Sequence, residues 1–198
     1  RPEVLNAFDF RMLREIARAC EDASWDDSIR VVVVTGAGRA FCVGADLKEW
    51  SRDYLGKPDE YWKWFGAFKD AHDRMREIGK PTVARVQGIA VGGGNELQMA
   101  CDLAVMVDTA FIRHVGLEHG SVPAGGATQW LQLMVGDRRA REIVLLCDEI
   151  PAPQAALIDP ILAPEGETIA VGTALVTLAP ADANAATAAV PSARATAA

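Results

Sequence analysis

Four valines in a row, set in RVVVVTG at residues 30–36, narrow the possible folds more than any other stretch of the chain. A continuous β-branched run has no polar face to turn toward water, so it suits a strand covered on both sides. Helices packed on a parallel sheet supply such cover. Apolar residues at helical spacing precede the run (Phe10, Leu13, Ile16, Ala17, Cys20). After a loop, AGRAFCVGAD, Pro58 opens a second amphipathic stretch through Tyr61, Phe65, Phe68, His72, Met75 and Ile78, proline being well tolerated in a first helical turn. Lys80-Pro81 ends it, and TVARVQG (82–88) predicts a second strand. VGGGNEL (91–97) leads into a short helix, DLAVMVD (102–108) predicts a third strand, and a further helix is expected near 138–147. Strands alternating with helices predict an α/β fold with mainly parallel pairing.

Charge and apolar patterning exclude several function classes. The formal net charge is -7 and the cations are interspersed with acids, which argues against a nucleic-acid surface. No apolar run reaches the roughly 18 residues of a membrane helix, and RPEVLNAFDF lacks the layout of a signal peptide. Cys20, Cys42, Cys101 and Cys147 show neither metal-like nor disulfide-like spacing, so they read as buried thiols in a reducing, cytoplasmic compartment, with no metal site. Past Pro151 the chain has no aromatic residue and no lysine, and alanine dominates. Such a tail buries too little surface to offset its ordering entropy, and disorder or weak packing is expected there.

The triple glycine 92–94 admits three readings. A phosphate cradle is poorly supported, because no GKS or GKT follows and the glycines are not spaced as in a dinucleotide loop. A structural turn, where backbone passes close to backbone, is the plainest. An oxyanion site is the third: amides at a helix amino terminus carry the positive end of its dipole, and glycine lets a substrate carbonyl approach. A second donor would then come from a loop at the carboxyl end of a neighbouring strand, and FCVGAD (41–46) is a candidate.

The segments RPEVLNAF, VVVVTGAGRAFCVGADLKEW, KPTVARVQGIAVGGGNELQMACDLAV and GSVPAGGATQWLQLMVG, in this order and separation, resemble the enoyl-CoA hydratase/isomerase (crotonase) family over residues 1–155. The resemblance implies a spiral of ββα turns, a homotrimer or dimer of trimers, and acyl-CoA thioester substrates. It implies no separate cofactor, coenzyme A entering as part of the substrate. Carried onto this chain, the family's two oxyanion donors fall on the amides of Ala45 and Gly93, with Gly92 and Asp46 beside them. The first of the family's two catalytic glutamates falls on Glu96, which can equally complement the helix dipole in its first turn. The second falls on Gly116, a departure that puts simple enoyl-CoA hydration in doubt. Glu118 and His119 are the nearest substitutes, and solvated loop residues are the plain alternative.

Within the family, EHGS paired with GGAT and the aromatic insert WSRDYLGKPDEYWKWF resemble ring-opening hydrolases acting on 6-oxocyclohex-1-ene-1-carbonyl-CoA. Trp50, Tyr54, Tyr61, Trp62, Trp64 and Phe65 can line an acyl pocket, or form core or trimer contacts. Lys48 and Arg52 can meet the phosphates of coenzyme A, or be ordinary surface cations. Relatives of this type carry strands before RPEVLNAF and helices after PAPQAAL, so a core short of both is expected. Residues 161–180 instead resemble a fragment of a lipoyl or biotinyl carrier hairpin, but no lysine follows Lys80 and no attached group is expected. Three functions remain open: water addition to an α,β-unsaturated, possibly cyclic, acyl-CoA; double-bond isomerisation, which needs one base; and a non-catalytic CoA-ester-binding or scaffold role.

Overall fold

A computed structural model describes residues 1–152, 154 and 155. The predicted helices form as α1 (Phe10–Trp25) and, after the short α2 (Leu47–Glu49) and a π-helical turn at Trp50–Tyr54, as α3 (Pro58–Arg76). Asp9 caps α1 by accepting the Met12 amide at 2.7 Å, satisfying a first-turn donor. The valine run holds β1 (Val32–Thr35), and the next two predicted strands are β3 (Thr82–Val86) and β5 (Leu103–Met106). Four strands were not expected, the last being β7 (Ile150–Pro151). β2 (Ala40–Cys42) lies inside the segment read as a loop, while β4 (Ile89–Val91) and β6 (Phe111–Arg113) follow tight turns. The triple glycine starts α4 (Gly93–Ala100), and α5 (Gln132–Val135), α6 (Asp137–Leu146) and β7 (Ile150–Pro151) complete the described chain.

Each ββ pair sends its first strand to one sheet and its second to another. β1, β3 and β5 pair in parallel in that order, and β2, β4 and β6 form a second parallel row closed by antiparallel β7. Helices follow each pair, which gives the expected ββα spiral with mainly parallel strands. The crossover between sheets is tight at two equivalent places. A Cβ on Gly36, just after β1, would overlap the carbonyl oxygens of Ala40 and Phe41, and one on Gly88, just after β3, would overlap that of Arg39.

Helices α1 and α3 pack on one another and bury Leu13 and Cys20 with Phe68, Ala71 and Met75. Each fully buried side chain of the Leu or Phe type contributes about 1.5–3 kcal/mol. Buried polar groups hold the backbone in place. Asn6 Nδ2 donates to the carbonyls of Ala37, Ala40 and Phe41 at 2.9, 2.8 and 3.2 Å, tying the amino-terminal segment to β2. Asp102 Oδ2 accepts from Thr82 N and Oγ1, both at 2.8 Å, which locks the starts of β3 and β5 together.

All four cysteines are free and buried, as expected. Among the described residues no helix is long and apolar enough to cross a membrane. The tail expected over 156–198 and its carrier-like stretch lie outside the described residues. Val31 just before β1, Val33 on it, and Leu133, Leu145 and Leu146 near α5 and α6 are exposed within the single chain.

Candidate active site

Two glycine turns meet at the carboxyl ends of β2 and β4. Phe8 bridges the first: its amide donates to Gly44 O at 2.7 Å and its carbonyl accepts from Asp46 N at 2.8 Å. Because successive amides of an extended segment point in opposite directions, the Ala45 amide faces away from Phe8. Gly44, at φ +85°, brings this turn against α4, so that a Cβ there would lie 3.0 Å from Gly93 N. Gly93 is the first residue of α4, where an amide has no acceptor within the helix. Among the described residues no carbonyl accepts from Ala45 N or Gly93 N.

Each glycine of the triplet answers a different steric demand. Gly92 sits at φ +54° and ψ -124°, a conformation costly for any residue with a Cβ. A Cβ on Gly93 would lie 2.8 Å from the Phe68 ring, and one on Gly94 would overlap the Cys42 carbonyl oxygen. Close packing therefore requires bare backbone at all three positions, and Gly93 and Ala45 border one cavity.

The cavity measures about 530 Å³ and is bordered by Ala45, Gly92, Gly93 and Glu96, with Trp50, Tyr61, Trp64, Phe65 and Phe68 as an aromatic wall. Of the predicted aromatic cluster, Tyr54 packs behind the wall with its ring 6.1 Å from Trp64, and Trp62 is exposed. Glu96 is 3% exposed. Its Oε1 accepts from Gly125 N at 2.8 Å and Ala127 N at 3.0 Å. Burial raises the Glu96 pKa to about 7 against the lowering effect of the Ala127, Gly125 and Ala124 amides.

Gly116, Glu118 and His119 also border the cavity, but they differ from Glu96 in setting. Gly116 closes a turn by accepting from His119 N and Ser121 N at 3.0 and 2.8 Å. A Cβ there would crowd Ser121 O at 3.0 Å, so the backbone disfavours a side chain at this position. Glu118 is exposed and paired with Arg113 at 2.6 Å, and His119 is exposed. Asp46 lines the cavity yet spends its carboxylate on capping α2 and on Arg1 Nη2 at 2.9 Å. Lys48 stands at the border, whereas Arg52 is outside it and engaged with Asp53.

The sequence reading missed two buried histidines. In the sequence His72 is only part of the α3 apolar stripe; its Nδ1 lies 2.7 Å from Phe68 O and its Nε2 3.3 Å from Gly93 O. Burial lowers its pKa. His114 lines the cavity immediately after β6 and is 1% exposed. Its place two residues before Gly116, where a catalytic side chain was sought, was the available signal.

A sequence model of the family described as "Enoyl-CoA hydratase/isomerase" matches residues 1–192. That match takes in residues 161–180, and the carrier-hairpin resemblance there finds no support. The chain is 38% identical over 156 residues to a 6-oxocyclohex-1-ene-1-carbonyl-CoA hydrolase of Geobacter metallireducens, covering 78% of this chain and 41% of that protein. It is 36% identical over 155 residues to the protein of the same name from Thauera aromatica, again covering 78% and 41%. The crystal structure of an enoyl-CoA hydratase from Bacillus anthracis superposes with a TM-score of 0.76 at 29% identity, covering 80% of this chain and 60% of that one. The chain thus spans less than half the length of the curated relatives it matches. With its ββα spiral, paired glycine turns and this family match, the chain belongs to the enoyl-CoA hydratase/isomerase family.

Proposed function

We propose that this protein adds water to an α,β-unsaturated acyl-CoA thioester through an oxyanion-stabilised enolate. The observation that carries this reading is that Glu96 is the one buried carboxylate among the described residues and shares a cavity with Ala45 and Gly93. The two amides hold the thioester oxygen as negative charge develops on it, each worth about 3–4 kcal/mol of barrier. The Glu96 carboxylate takes a proton from the water attacking the β carbon, and the resulting acid returns a proton to the α carbon. A pKa of about 7 suits both halves of this cycle near neutrality. The aromatic wall and the identity to two ring hydrolases favour a cyclic acyl group. No cofactor is required beyond the coenzyme A of the substrate.

Glu118 and His119 serve at the rim rather than in proton transfer, and Lys48 meets the anionic end of coenzyme A. Self-association as a trimer would cover the exposed leucines near α5 and α6, and the free buried thiols suit the cytoplasm. The presence of a single buried carboxylate among the described residues favours one second reading, double-bond isomerisation, which needs only one base. Loss of crotonyl-CoA absorbance with uptake of solvent oxygen tests hydration. Conversion of a 3-enoyl-CoA without such uptake would instead establish the isomerase, and failure to turn over all four of crotonyl-CoA, a 3-enoyl-CoA, a cyclic dienoyl-CoA and 6-oxo-cyclohexenecarbonyl-CoA would overturn both.

A further inference from the structure

His114 is almost wholly buried, yet it borders the cavity. Its Nε2 lies 2.8 Å from Asn95 Nδ2. The orientation of Asn95 follows from its other contacts, since Asn95 Oδ1 accepts from Gln98 Nε2 at 3.0 Å and Asn95 Nδ2 donates to Met99 Sδ at 3.7 Å. The amide nitrogen of Asn95 is therefore turned to the imidazole, and Nε2 must accept. A neutral imidazole with a lone pair on Nε2 carries its hydrogen on Nδ1. Among the described residues Nδ1 has no hydrogen-bond partner, and no buried polar side-chain atom is left unpartnered, so Nδ1 opens on the cavity. Asn95 directly precedes Glu96 on α4, and the imidazole and the carboxylate border the same cavity.

We propose that His114 is a specificity-determining residue, donating Nδ1–H to the oxygen at the β carbon of the acyl group: the water before addition and the hydroxyl after it. No proton is transferred by His114; it orients the oxygen from which Glu96 removes a proton. Burial lowers the His114 pKa to about 4, which keeps the ring neutral at physiological pH. A buried donor without a partner rejects a ligand lacking the matching oxygen, so discrimination rather than bulk affinity is the expected signature.

This inference rests on the acyl-CoA reading, and the test separates the two. Calorimetry with 3-hydroxybutyryl-CoA and butyryl-CoA should show the oxygenated ester binding about five- to tenfold more tightly to the unaltered chain. His114→Phe should erase the difference while leaving butyryl-CoA affinity within about twofold, and His114→Gln should restore part of it. Equal binding of both esters to the unaltered chain, or a preference that survives His114→Phe, overturns the role of His114 alone. Binding of neither ester overturns the acyl-CoA reading and this inference with it. Side-chain ¹⁵N NMR of the unaltered full chain supplies a check independent of any variant's folding: the Nδ1–H tautomer is expected, and an Nε2–H tautomer overturns the proposal.

Discussion

The Gly125 amide donates to Glu96 Oε1 at 2.8 Å, at a point where a Cβ on residue 125 would lie 2.9 Å from the other carboxylate oxygen and 3.0 Å from His72 Nε2. The loop before the Ala127–Leu131 turn thus approaches Glu96 as closely as backbone can, and it both desolvates the carboxylate and supplies its donors.

Gly125→Ala should therefore act through Glu96. The added methyl must displace the carboxylate or the loop, which is expected to destabilise the fold by about 1–3 kcal/mol and to lower kcat/KM at least tenfold. In a Glu96→Gln background the same substitution should cost little further activity, because both changes remove one function. Full additivity of the two losses, measured with an enoyl-CoA substrate, would show that residue 125 acts elsewhere.

Glu96→Gln keeps the shape and an oxygen that accepts from Gly125 and Ala127 but removes the base. A fall of about 10²–10⁴ in kcat is expected. For the unaltered chain, kcat/KM should rise with pH and level off above an apparent pKa of about 7, since the base works ionised. A pH profile flat from 5 to 9 would exclude Glu96 as that base.

Stability should show two opposed proton linkages. Glu96 rises from 4.5 to about 7 on folding, so in that window the folded state holds more protons and stability falls as pH increases, by up to about 3 kcal/mol. His114 drops from 6.5 to about 4, so the unfolded state holds more protons and stability rises over that range. The lowered pKa of His72 acts in the same sense as that of His114. Between pH 4.5 and 6.5 the Glu96 and His114 slopes largely cancel, and the His72 linkage leaves a net rise of stability with pH. Urea titrations should show Glu96→Gln gaining on the unaltered chain as pH increases from 4.5 to 7.5, and a constant difference would contradict the raised pKa.

Glu118→Gln and His119→Gln should each change kcat less than about tenfold, because both side chains are exposed and Glu118 is neutralised by Arg113. Parallel steady-state measurements with Glu96→Gln rank the three. A loss at residue 118 or 119 matching that at 96 would make the rim residue the second proton carrier.

Much of the scaffold was legible because it rests on local pattern. The valine run became β1, and the stripes from Phe10 and from Tyr61 became α1 and α3. β2, β4 and β6 escaped because three residues are too few for a period of two to register. Their strand character comes from neighbours across the sheet, as where Ala90 pairs with Ile112. Motif resemblance pointed to Glu96 and the glycines but not to His114, whose proposed role depends on Asn95, 19 residues away.

The sequence by itself determined where apolar faces and bare backbone must lie, because side-chain volume and the absence of a Cβ are properties of single residues. Only the tertiary structure decided the chemistry of the polar groups. Glu96 lies 29 and 31 residues from the two amides whose hydrogen bonds to its Oε1 are given above, and the His114 tautomer follows from the orientation of a distant amide. Protonation depends on through-space desolvation and hydrogen bonding, and those exist only once separate turns of the spiral have closed around one cavity.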